Sequence, residues 1–446
     1  MNKYYFGFRE GSKINQIICA LLINMPAFVY GSTIGWMSPM TLLLQSKDSP
    51  RGTPLTDFEG CWAIKLLSMD TWAFILARAF VGVLMAGCYG TCPLYTKEIS
   101  EDSIRGMLGS LIIIFHTTGN LFLYIIGDIL SYRTVLWVCL AVPAVHLVLF
   151  MMMPESPSYL VKTGDLDEAA RCLAWLRCRK EDDIVVLNEI NQIKKEQLKD
   201  EESNKLVFKA IVSDRLLFRA FKIAIIVALA REFCGAIPVL NFAGEIFNNA
   251  SKGVGLVLTA NQQAMMLGAV QVVGSVSAFS LVEKTGRKWL FFITSLVSGL
   301  SMCALASWFV ARACGLQAVP WLPITSLCLC IFCDSFGLQP ISVIIVGEIF
   351  SYKYRGTVMA ATTAIGSLAA FLQMLLYKPI VNAIGFHVAF YCFGAVCLLT
   401  AVYTILVLPE TKLRGLQEIY DDLKTKKEKK IEAEQSIEEK LKEISV

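Results

Sequence analysis

The sequence predicts an all-α membrane protein, on the basis of its composition, its charge distribution and ten long apolar runs. Of the 446 residues, 55% are hydrophobic and 17% are charged, whereas about 25% of residues are charged in soluble domains. The mean hydropathy is +0.56. More than half of the charged side chains lie in two segments, 154–222 and 412–446, which leaves the rest of the chain apolar enough for lipid. A single soluble globule is therefore excluded.

The apolar runs predict the transmembrane helices. A run of about 20 residues crosses the hydrocarbon core of a bilayer, and its backbone must satisfy its own hydrogen bonds there, which requires a helix. Ten spans are expected at about 14–36, 71–95, 106–128, 134–153, 221–245, 257–282, 289–311, 321–347, 357–379 and 386–408. The first run has no A-x-A cleavage site, which favours a retained helix over a signal peptide.

Basic residues predict the orientation, since Lys and Arg gather in cytoplasmic loops. The basic groups fall on one side of the membrane in register: Lys3, Arg9, Lys13, Lys97, Arg105, the 154–220 segment, Lys284, Arg287, Lys288, Lys353 and Arg355. Both termini are therefore predicted to be cytoplasmic, in a multi-pass protein expected at the plasma membrane. The sequon at Asn249 is then a glycosylation candidate on the outer side.

The uneven charge divides the chain into four predicted segments. Residues 1–153 form a transmembrane half with about four helices, and residues 154–220 form a cytoplasmic helical linker. In the linker, apolar residues at helical spacing predict an amphipathic helix over 165–179. A second transmembrane half with six helices covers 221–411, and a charged cytoplasmic tail covers 412–446.

The sequence offers no enzyme chemistry. The three histidines, His116, His146 and His387, lie far apart in apolar runs, which predicts buried core residues rather than metal ligands. The 15 cysteines are scattered through apolar runs and predict free thiols. The net charge of +4 comes without a basic cluster for nucleic acid. We expect no catalysis, no cofactor and no metal; the expected partners are the lipid bilayer and a small-molecule substrate.

Short charged motifs mark the predicted cytoplasmic ends of the helices. In chain order they are Arg78-x3-Gly82-x4-Gly87, Tyr95-x2-Glu98-Ile99, Arg105-Gly106, Pro154-Glu155-Ser156-Pro157, Glu283-x2-Gly286-Arg287-Lys288, Glu348-Ile349-Phe350, Arg355-Gly356 and Pro409-Glu410-Thr411-Lys412. Their order and spacing resemble the sugar porter family of the major facilitator superfamily, and within it the insect facilitators of trehalose and glucose. The resemblance covers nearly the whole chain. It implies the major facilitator fold, in which repeated halves rock about a midplane site.

The resemblance also implies a charge network at the cytoplasmic gate. Its predicted members are Glu98, Arg105, Glu155, Glu283, Arg287, Glu348, Arg355 and Glu410. We expect groups of the two halves to pair while the pore faces outward and to separate when it opens inward. Exposed ion pairs contribute about 0–1 kcal/mol each, which suits a switch between two states of similar free energy.

The chain departs from the family in its first half. Ala63-Ile64-Lys65 leads directly to Ser68 and the helix that contains Arg78, whereas the family has two more helices there. We therefore expect about ten transmembrane helices, four and six, instead of twelve. The loss of an even number preserves the sidedness of the later spans. A splice variant, an incomplete gene model and a degenerated paralogue are the alternative explanations.

A second departure concerns the positions that the resemblance assigns to sugar binding. Sugars are uncharged and carry many hydroxyls, so amide side chains and aromatic faces suit them. Positions that hold amides or an aromatic in the family are changed in this chain: Arg231 and Glu232 for a Gln-Gln pair, and Ile237, Ile113, Val343 and Gly366 for the others. Most of the family's sugar-binding set is therefore absent.

Five residues remain as candidates for substrate binding, namely Gln271, Arg231, Glu232, Asn241 and Phe242. Gln271 keeps the family's amide on the eighth helix, and either binds substrate or hydrogen-bonds a neighbouring helix. Asn241 and Phe242 lie where the family has an outer gate. Arg231 and Glu232 lie about 16 Å along their helix, where charges normally face a cavity or a partner. They either bind a substrate or form a gate, or they pair structurally, for example with Asp334 or Arg78.

Three functions are compatible with these features. The leading prediction is a carrier of trehalose or a hexose that works by alternating access. The expected mode is facilitated diffusion, because the first span contains no acid for proton coupling, although Glu232 could titrate. The first alternative is a carrier of an organic ion that Arg231 or Glu232 recognises. The second is a membrane sensor or an inactive paralogue that does not transport.

Overall fold

A computed structural model of the chain describes residues 11–36, 38–39, 71–201, 210–211, 213–251, 258–316, 319–412, 414 and 416–424. These residues form helices and short connections, without a β-strand among them. The stretch 63–70, where the chain departs from the family, lies outside the described residues, as do the N-terminal basic residues Lys3 and Arg9 and most of the predicted tail. The backbone is described at Arg78 and Glu283, but their side chains are not.

Among the described residues up to 201, there are four long helices and three shorter ones. The long helices are α1 (Ile14–Gly35), α2 (Thr71–Ile99), α3 (Asp102–Ile129) and α4 (Tyr132–Phe150). The short ones are α5 (Pro157–Thr163), α6 (Leu166–Arg177) and α7 (Ile184–Glu201). Helix α6 lies within the amphipathic segment predicted at 165–179.

The described residues after 213 contain ten further helices. They are α8 (Arg215–Glu232), α9 (Ala236–Asn241), α10 (Ala243–Ser251), α11 (Ala260–Thr285), α12 (Arg287–Ala313), α13 (Leu322–Cys333), α14 (Gln339–Ile349), α15 (Tyr352–Ala383), α16 (Phe386–Leu406) and α17 (Leu416–Leu423). A π-helical turn, Asp334–Leu338, joins α13 to α14.

These helices confirm the predicted fold class. In the described part of the chain, nine helical stretches are long and apolar enough to cross a membrane, with α8 to α10 forming one stretch and α13 to α14 another. Helix α11 occupies the position of the remaining predicted span. Each of the ten predicted spans therefore coincides with one helix or one helical stretch, four before residue 153 and six after residue 215.

The chain divides into two compact units. The first contains residues 1–203 and 238–279, and the second contains residues 204–237 and 280–446. The predicted division of the chain at residues 153, 220 and 411 stays a prediction.

In the first unit, helices α1 and α3 pack backbone against backbone. A Cβ atom added at Gly31 would lie 1.9 Å from the carbonyl oxygen of His116, and one added at Gly119 would lie 2.1 Å from that of Phe28. Gly31 and Gly35 are four residues apart and share a face of α1. Small residues at this spacing let membrane helices approach closely, so these glycines set the distance between the two helices.

The short helices of the first unit pack on the ends of its long helices. Leu173 and Leu176 of α6 belong to the same buried cluster as Ile99 and Leu108. At the end of α6, the Arg177 side chain donates to the carbonyl of Ile99, the last residue of α2, at 2.7 Å. A helix leaves its last carbonyls without internal partners, so Arg177 completes this helix end.

Arg177 is also the centre of a buried ion-pair group. Its guanidinium donates to both carboxylate oxygens of Glu189 on α7, at 3.1 and 2.5 Å, and lies 3.9 Å from Glu101. Only 3% of the Arg177 residue is exposed. The sequence does not predict this group, because Arg177 lies in a charged segment of a kind typical of a solvated surface.

We expect the change Gly119→Ala to destabilise the first unit by roughly 1–3 kcal/mol, because the added methyl group overpacks the α1–α3 contact. The matched control is Gly109→Ala on the same helix, where nothing lies within 4 Å of the added Cβ. The control should be neutral or stabilising by up to about 1 kcal/mol. Thermal unfolding in detergent, with the amount of monodisperse protein, measures both; equal effects of the two changes would contradict the packing assignment.

We expect Arg177→Met to destabilise the first unit by roughly 1–3 kcal/mol, because it removes the hydrogen bonds to the Ile99 carbonyl and to the Glu189 carboxylate. The control is Arg179→Met, which removes the exposed ion pair with Asp183 at 2.9 Å and should cost about 0–1 kcal/mol. The same unfolding measurement applies. An Arg177 variant as stable as the Arg179 variant would show that the ion-pair group does not anchor α6.

Candidate functional site

The first part of the candidate site lies where α8 ends. Helix α8 stops at Glu232, and the chain turns through Gly235 before α9 begins. Gly235 has φ +91°, and a Cβ atom there would lie 2.5 Å from the Phe393 ring. Only glycine fits both the left-handed backbone and the close ring. The turn therefore places Arg231 and Glu232 in the last helical turn, beside a break in the helix.

Arg231 and Glu232 pair with each other. The Arg231 Nη1 atom donates to the Glu232 Oε1 atom, and the two side chains are 27% and 11% exposed. The pair therefore neutralises its own charge at a depth where an unpaired charge is costly. The sequence predicted structural partners on other helices, whereas the structure pairs the two residues with each other.

Asp334 lies close enough to both members of this pair to interact electrostatically. It begins the π-helical turn, is 2% exposed, and accepts a long hydrogen bond from the Cys234 thiol at 3.7 Å. The turn is held close to α12, since a Cβ atom at Gly337 would lie 2.4 Å from Thr294. π-Helical turns often mark functional sites because they re-aim side chains.

Gly366 of α15 faces Glu232. A Cβ atom at Gly366 would lie 3.5 Å from the Glu232 Cγ atom and 3.7 Å from its Oε1 atom. The resemblance places an Asn at this position in the family. In this chain, Gly366 leaves the space in front of Glu232 open. The second unit therefore has the Arg231–Glu232 pair and a glycine at positions where the resemblance places amides.

The second part of the candidate site lies in the first unit and contains Gln271. Gln271 is 2% exposed, and its Oε1 atom accepts a hydrogen bond from the Asn120 amide of α3 at 2.8 Å. Asn120 is fully buried and fits against Gly35, where a Cβ atom would lie 2.6 Å from the Asn120 side-chain oxygen. The predicted substrate residue Gln271 thus has a structural partner, which also orients it.

Asn120 belongs to a polar stripe on one face of α3, formed by His116, Asn120 and Tyr124 at four-residue spacing. The Tyr124 hydroxyl donates to the Leu240 carbonyl at 2.6 Å. His116 is buried and hydrogen-bonds the Tyr89 hydroxyl at 2.8 Å. Sequence analysis described His116 as a core residue and missed Asn120, although an amide inside an apolar span is itself a signal.

Asn241 and Phe242 lie at the junction of α9 and α10 and are buried, with 5% and 8% exposure. Asn249 lies in α10, and its Nδ2 atom donates to the Glu245 carbonyl at 3.1 Å. The assignments of Asn241 and Phe242 to a gate and of Asn249 to glycosylation stay predictions.

In the second unit, the charged motifs around Glu410 connect the start of α12 with the segment that follows α16 and, through Arg287, with the end of α14. Its carboxylate accepts hydrogen bonds from four backbone amides, those of Arg287, Lys288, Thr411 and Lys412, at 3.0–3.2 Å. The first two amides belong to the first turn of α12, where a carboxylate satisfies unpaired N–H groups and the helix dipole. Gly286 has no side chain to cap this helix, so Glu410 supplies the cap.

Arg287 extends this group to the end of α14. Its guanidinium donates twice to the Glu348 Oε1 atom, at 3.2 and 2.9 Å, and the Thr411 hydroxyl donates to the Glu348 Oε2 atom at 2.5 Å. Arg355 donates to the Phe350 carbonyl at 3.4 Å. Four of the predicted gate residues are thus held within the second unit.

In the first unit, the predicted gate residues also contact their own unit. Glu98 accepts a hydrogen bond from the Ser156 hydroxyl, and Arg105 donates to the Ser100 carbonyl at 3.1 Å. The Glu155 carbonyl accepts a hydrogen bond from the Cys172 thiol at 3.3 Å, while its side chain is exposed. The predicted pairing of the network between the two halves stays a prediction.

Comparisons with known proteins decide the family. A family model described as "Sugar (and other) transporter" matches residues 61–423. The chain belongs to this sugar transporter family. Among relatives of the family, a facilitated trehalose transporter Tret1 of Apis mellifera ligustica is 26% identical over 367 residues, which cover 80% of this chain and 70% of the relative. A Tret1-2 homolog of Drosophila simulans is 26% identical, with 92% of each chain covered.

The fold of the family is also seen in solved structures. The xylose transporter XylE of E. coli, in an inward open conformation, matches 92% of this chain and 86% of its own with a TM-score of 0.64 at 19% identity. The family membership and this likeness confirm the predicted major facilitator fold, the multi-pass membrane protein and the prediction that the chain is not an enzyme. The family transports sugars and other substrates.

We expect Glu410→Ala to destabilise the second unit by roughly 1.5–3 kcal/mol, because hydrogen bonds to a charged group are among the stronger ones. The loss should appear as a lower unfolding temperature in detergent. The control is Glu418→Ala in α17, where the carboxylate is exposed, and a change within about 0.5 kcal/mol is expected. Equal stability of the two variants would rule out the capping role.

Proposed function

We propose that this protein carries a neutral sugar, trehalose or a hexose, across the plasma membrane by alternating access. The proposal is supported first by the relatives, which are named facilitated trehalose transporters. It is supported second by the Arg231–Glu232 pair, which is the single structural observation that distinguishes substrate classes.

The pair favours an uncharged substrate. In an ion carrier, Arg231 or Glu232 would hold the opposite charge of the substrate. Instead the guanidinium already donates to the neighbouring carboxylate. Breaking a buried ion pair leaves an uncompensated charge, which costs about 3–5 kcal/mol. A sugar can accept from and donate to the outer atoms of an intact pair through its hydroxyls, without separating the charges.

Gln271 and Asn120 supply the amide chemistry in the first unit. An amide side chain offers two donors and an acceptor with two lone pairs, and only part of this capacity is used in the contact between the two residues. We propose that Gln271 binds substrate hydroxyls and that Asn120 positions it. Asn241 and Phe242 remain our proposed outer gate, with the eight charged motif residues at the cytoplasmic gate and both termini in the cytoplasm.

We propose facilitated diffusion as the mode of transport. Helix α1, Ile14–Gly35, contains no acidic or basic residue that could couple uptake to protons in the first span. The flux is then driven by the sugar gradient alone and stops when the gradient is dissipated.

The test is uptake of labelled trehalose and glucose into cells that express the chain, normalised to the amount at the surface. We expect saturable uptake that is insensitive to a proton uncoupler. Uptake of neither sugar at normal surface levels would overturn the sugar proposal and would favour a sensor or an inactive paralogue.

Two variants separate a neutral substrate from an ion. We expect Glu232→Gln alone to lower sugar uptake about tenfold or more, because Arg231 loses the carboxylate to which it donates. The double change Arg231→Gln with Glu232→Gln removes both charges and should restore uptake to within about threefold of the unmodified chain, a factor that corresponds to less than 1 kcal/mol. If the substrate is an ion, the double variant should lose its flux, and Arg231→Gln alone should lose its flux as well.

A further inference from the structure

One buried polar side chain of the second unit has no partner. Gln373 of α15 is 5% exposed, and neither its Oε1 nor its Nε2 atom has a hydrogen-bond partner among the described residues. An unpaired buried polar group costs about 1–3 kcal/mol, and such groups in native structures are rare and call for an explanation. A bound ligand with hydroxyl groups would provide one.

The contacts of neighbouring residues show which way this part of α15 faces. With 3.6 residues per turn, Gly366, Gln373 and Tyr377 lie within about 40° of one another around the helix axis. Gly366 faces the Glu232 side chain. Tyr377 stacks on the Phe393 ring with centroids 6.3 Å apart. Gln373 therefore lies between them on the same face of α15.

That face of α15 is directed toward the break after α8. The Phe393 ring, on which Tyr377 stacks, is the ring that approaches Gly235 within the turn. Glu232 lies at the start of the same turn. Gln373 is about 10 Å along the axis from Gly366 at 1.5 Å per residue, so one sugar ring or a disaccharide spans the interval between the two.

The chemistry around Gln373 is that of a sugar-binding surface. An amide donates and accepts hydrogen bonds at once, which matches hydroxyl groups. The neighbouring Tyr377 and Phe393 rings are buried and stack on each other, so the amide lies beside aromatic side chains. A charged ligand would find no opposite charge at Gln373 itself, so the site selects a neutral polyhydroxyl compound.

We infer that Gln373 binds hydroxyl groups of the transported sugar and helps to set its specificity. This inference rests on the proposed function and deepens it, since it assigns an amide to the second unit, where the positions that the resemblance points to have none. The unpaired amide is then explained as a binding group that is satisfied only when sugar is bound.

The test compares Gln373→Met with Gln263→Met. Met has a similar length and cannot form the amide hydrogen bonds. Gln263 is an equally buried amide, at 1% exposure, but it donates to Ser251 and to the Leu258 carbonyl. We expect Gln373→Met to raise the KM for glucose or trehalose uptake about tenfold, because one tenfold step corresponds to about one lost hydrogen bond.

Stability distinguishes binding from a structural role. Gln373→Met should leave the unfolding temperature of the sugar-free protein unchanged or higher, because it removes an unsatisfied amide from the interior. Gln263→Met should lower the unfolding temperature and leave KM unchanged. A lower unfolding temperature for Gln373→Met with an unchanged KM would overturn the inference, since it would show a structural role.

Monodeoxy analogues of glucose, used as competitors of labelled glucose, measure substrate discrimination, which does not depend on the stability of the protein. The unmodified chain should discriminate against at least one analogue about tenfold, and Gln373→Met should lose that discrimination. If Gln373→Met keeps both the discrimination and the KM of the unmodified chain, the role of Gln373 is overturned, while sugar transport stands. No saturable uptake or binding by the unmodified chain would overturn the proposed function, and the role of Gln373 with it.

Discussion

Polar groups within a membrane need partners inside the protein, because lipid offers none. Several buried polar side chains of the described structure meet this constraint by pairing with one another. Arg231 pairs with Glu232, and Asn120 pairs with Gln271. His116 pairs with Tyr89. The two contacts between helices, Asn120 with Gln271 and His116 with Tyr89, fix the rotation of the helices that carry them.

Glycines make several of these contacts possible. Gly35 leaves space for the Asn120 side chain, Gly366 leaves space for Glu232, and Gly235 allows α8 to end beside the Phe393 ring. At Gly35 and Gly235 a β-carbon would occupy the volume that the polar or aromatic group uses, whereas at Gly366 it would make an ordinary contact with Glu232. The composition of the site therefore depends as much on absent side chains as on present ones.

The charged motifs hold helix ends together. Glu410 caps α12 through backbone amides, and Arg287 of the same helix binds Glu348 near the end of α14. In the first unit, Arg177 completes the end of α2. These contacts give each unit one well-defined end. A carrier that rocks between two states needs units that keep their internal structure during the movement, and buried or multiply bonded carboxylates provide more rigidity than exposed ion pairs.

The sequence by itself determined the all-α membrane fold, the positions of ten helices and the family, because apolar runs and ordered motifs are local properties of the chain. It also identified Gln271, Arg231 and Glu232 as unusual residues inside spans. Only the tertiary structure decided their partners, the role of Arg177 and the unpaired state of Gln373. Hydrogen bonding and burial depend on groups that are distant in sequence, as the 151 residues between Asn120 and Gln271 illustrate.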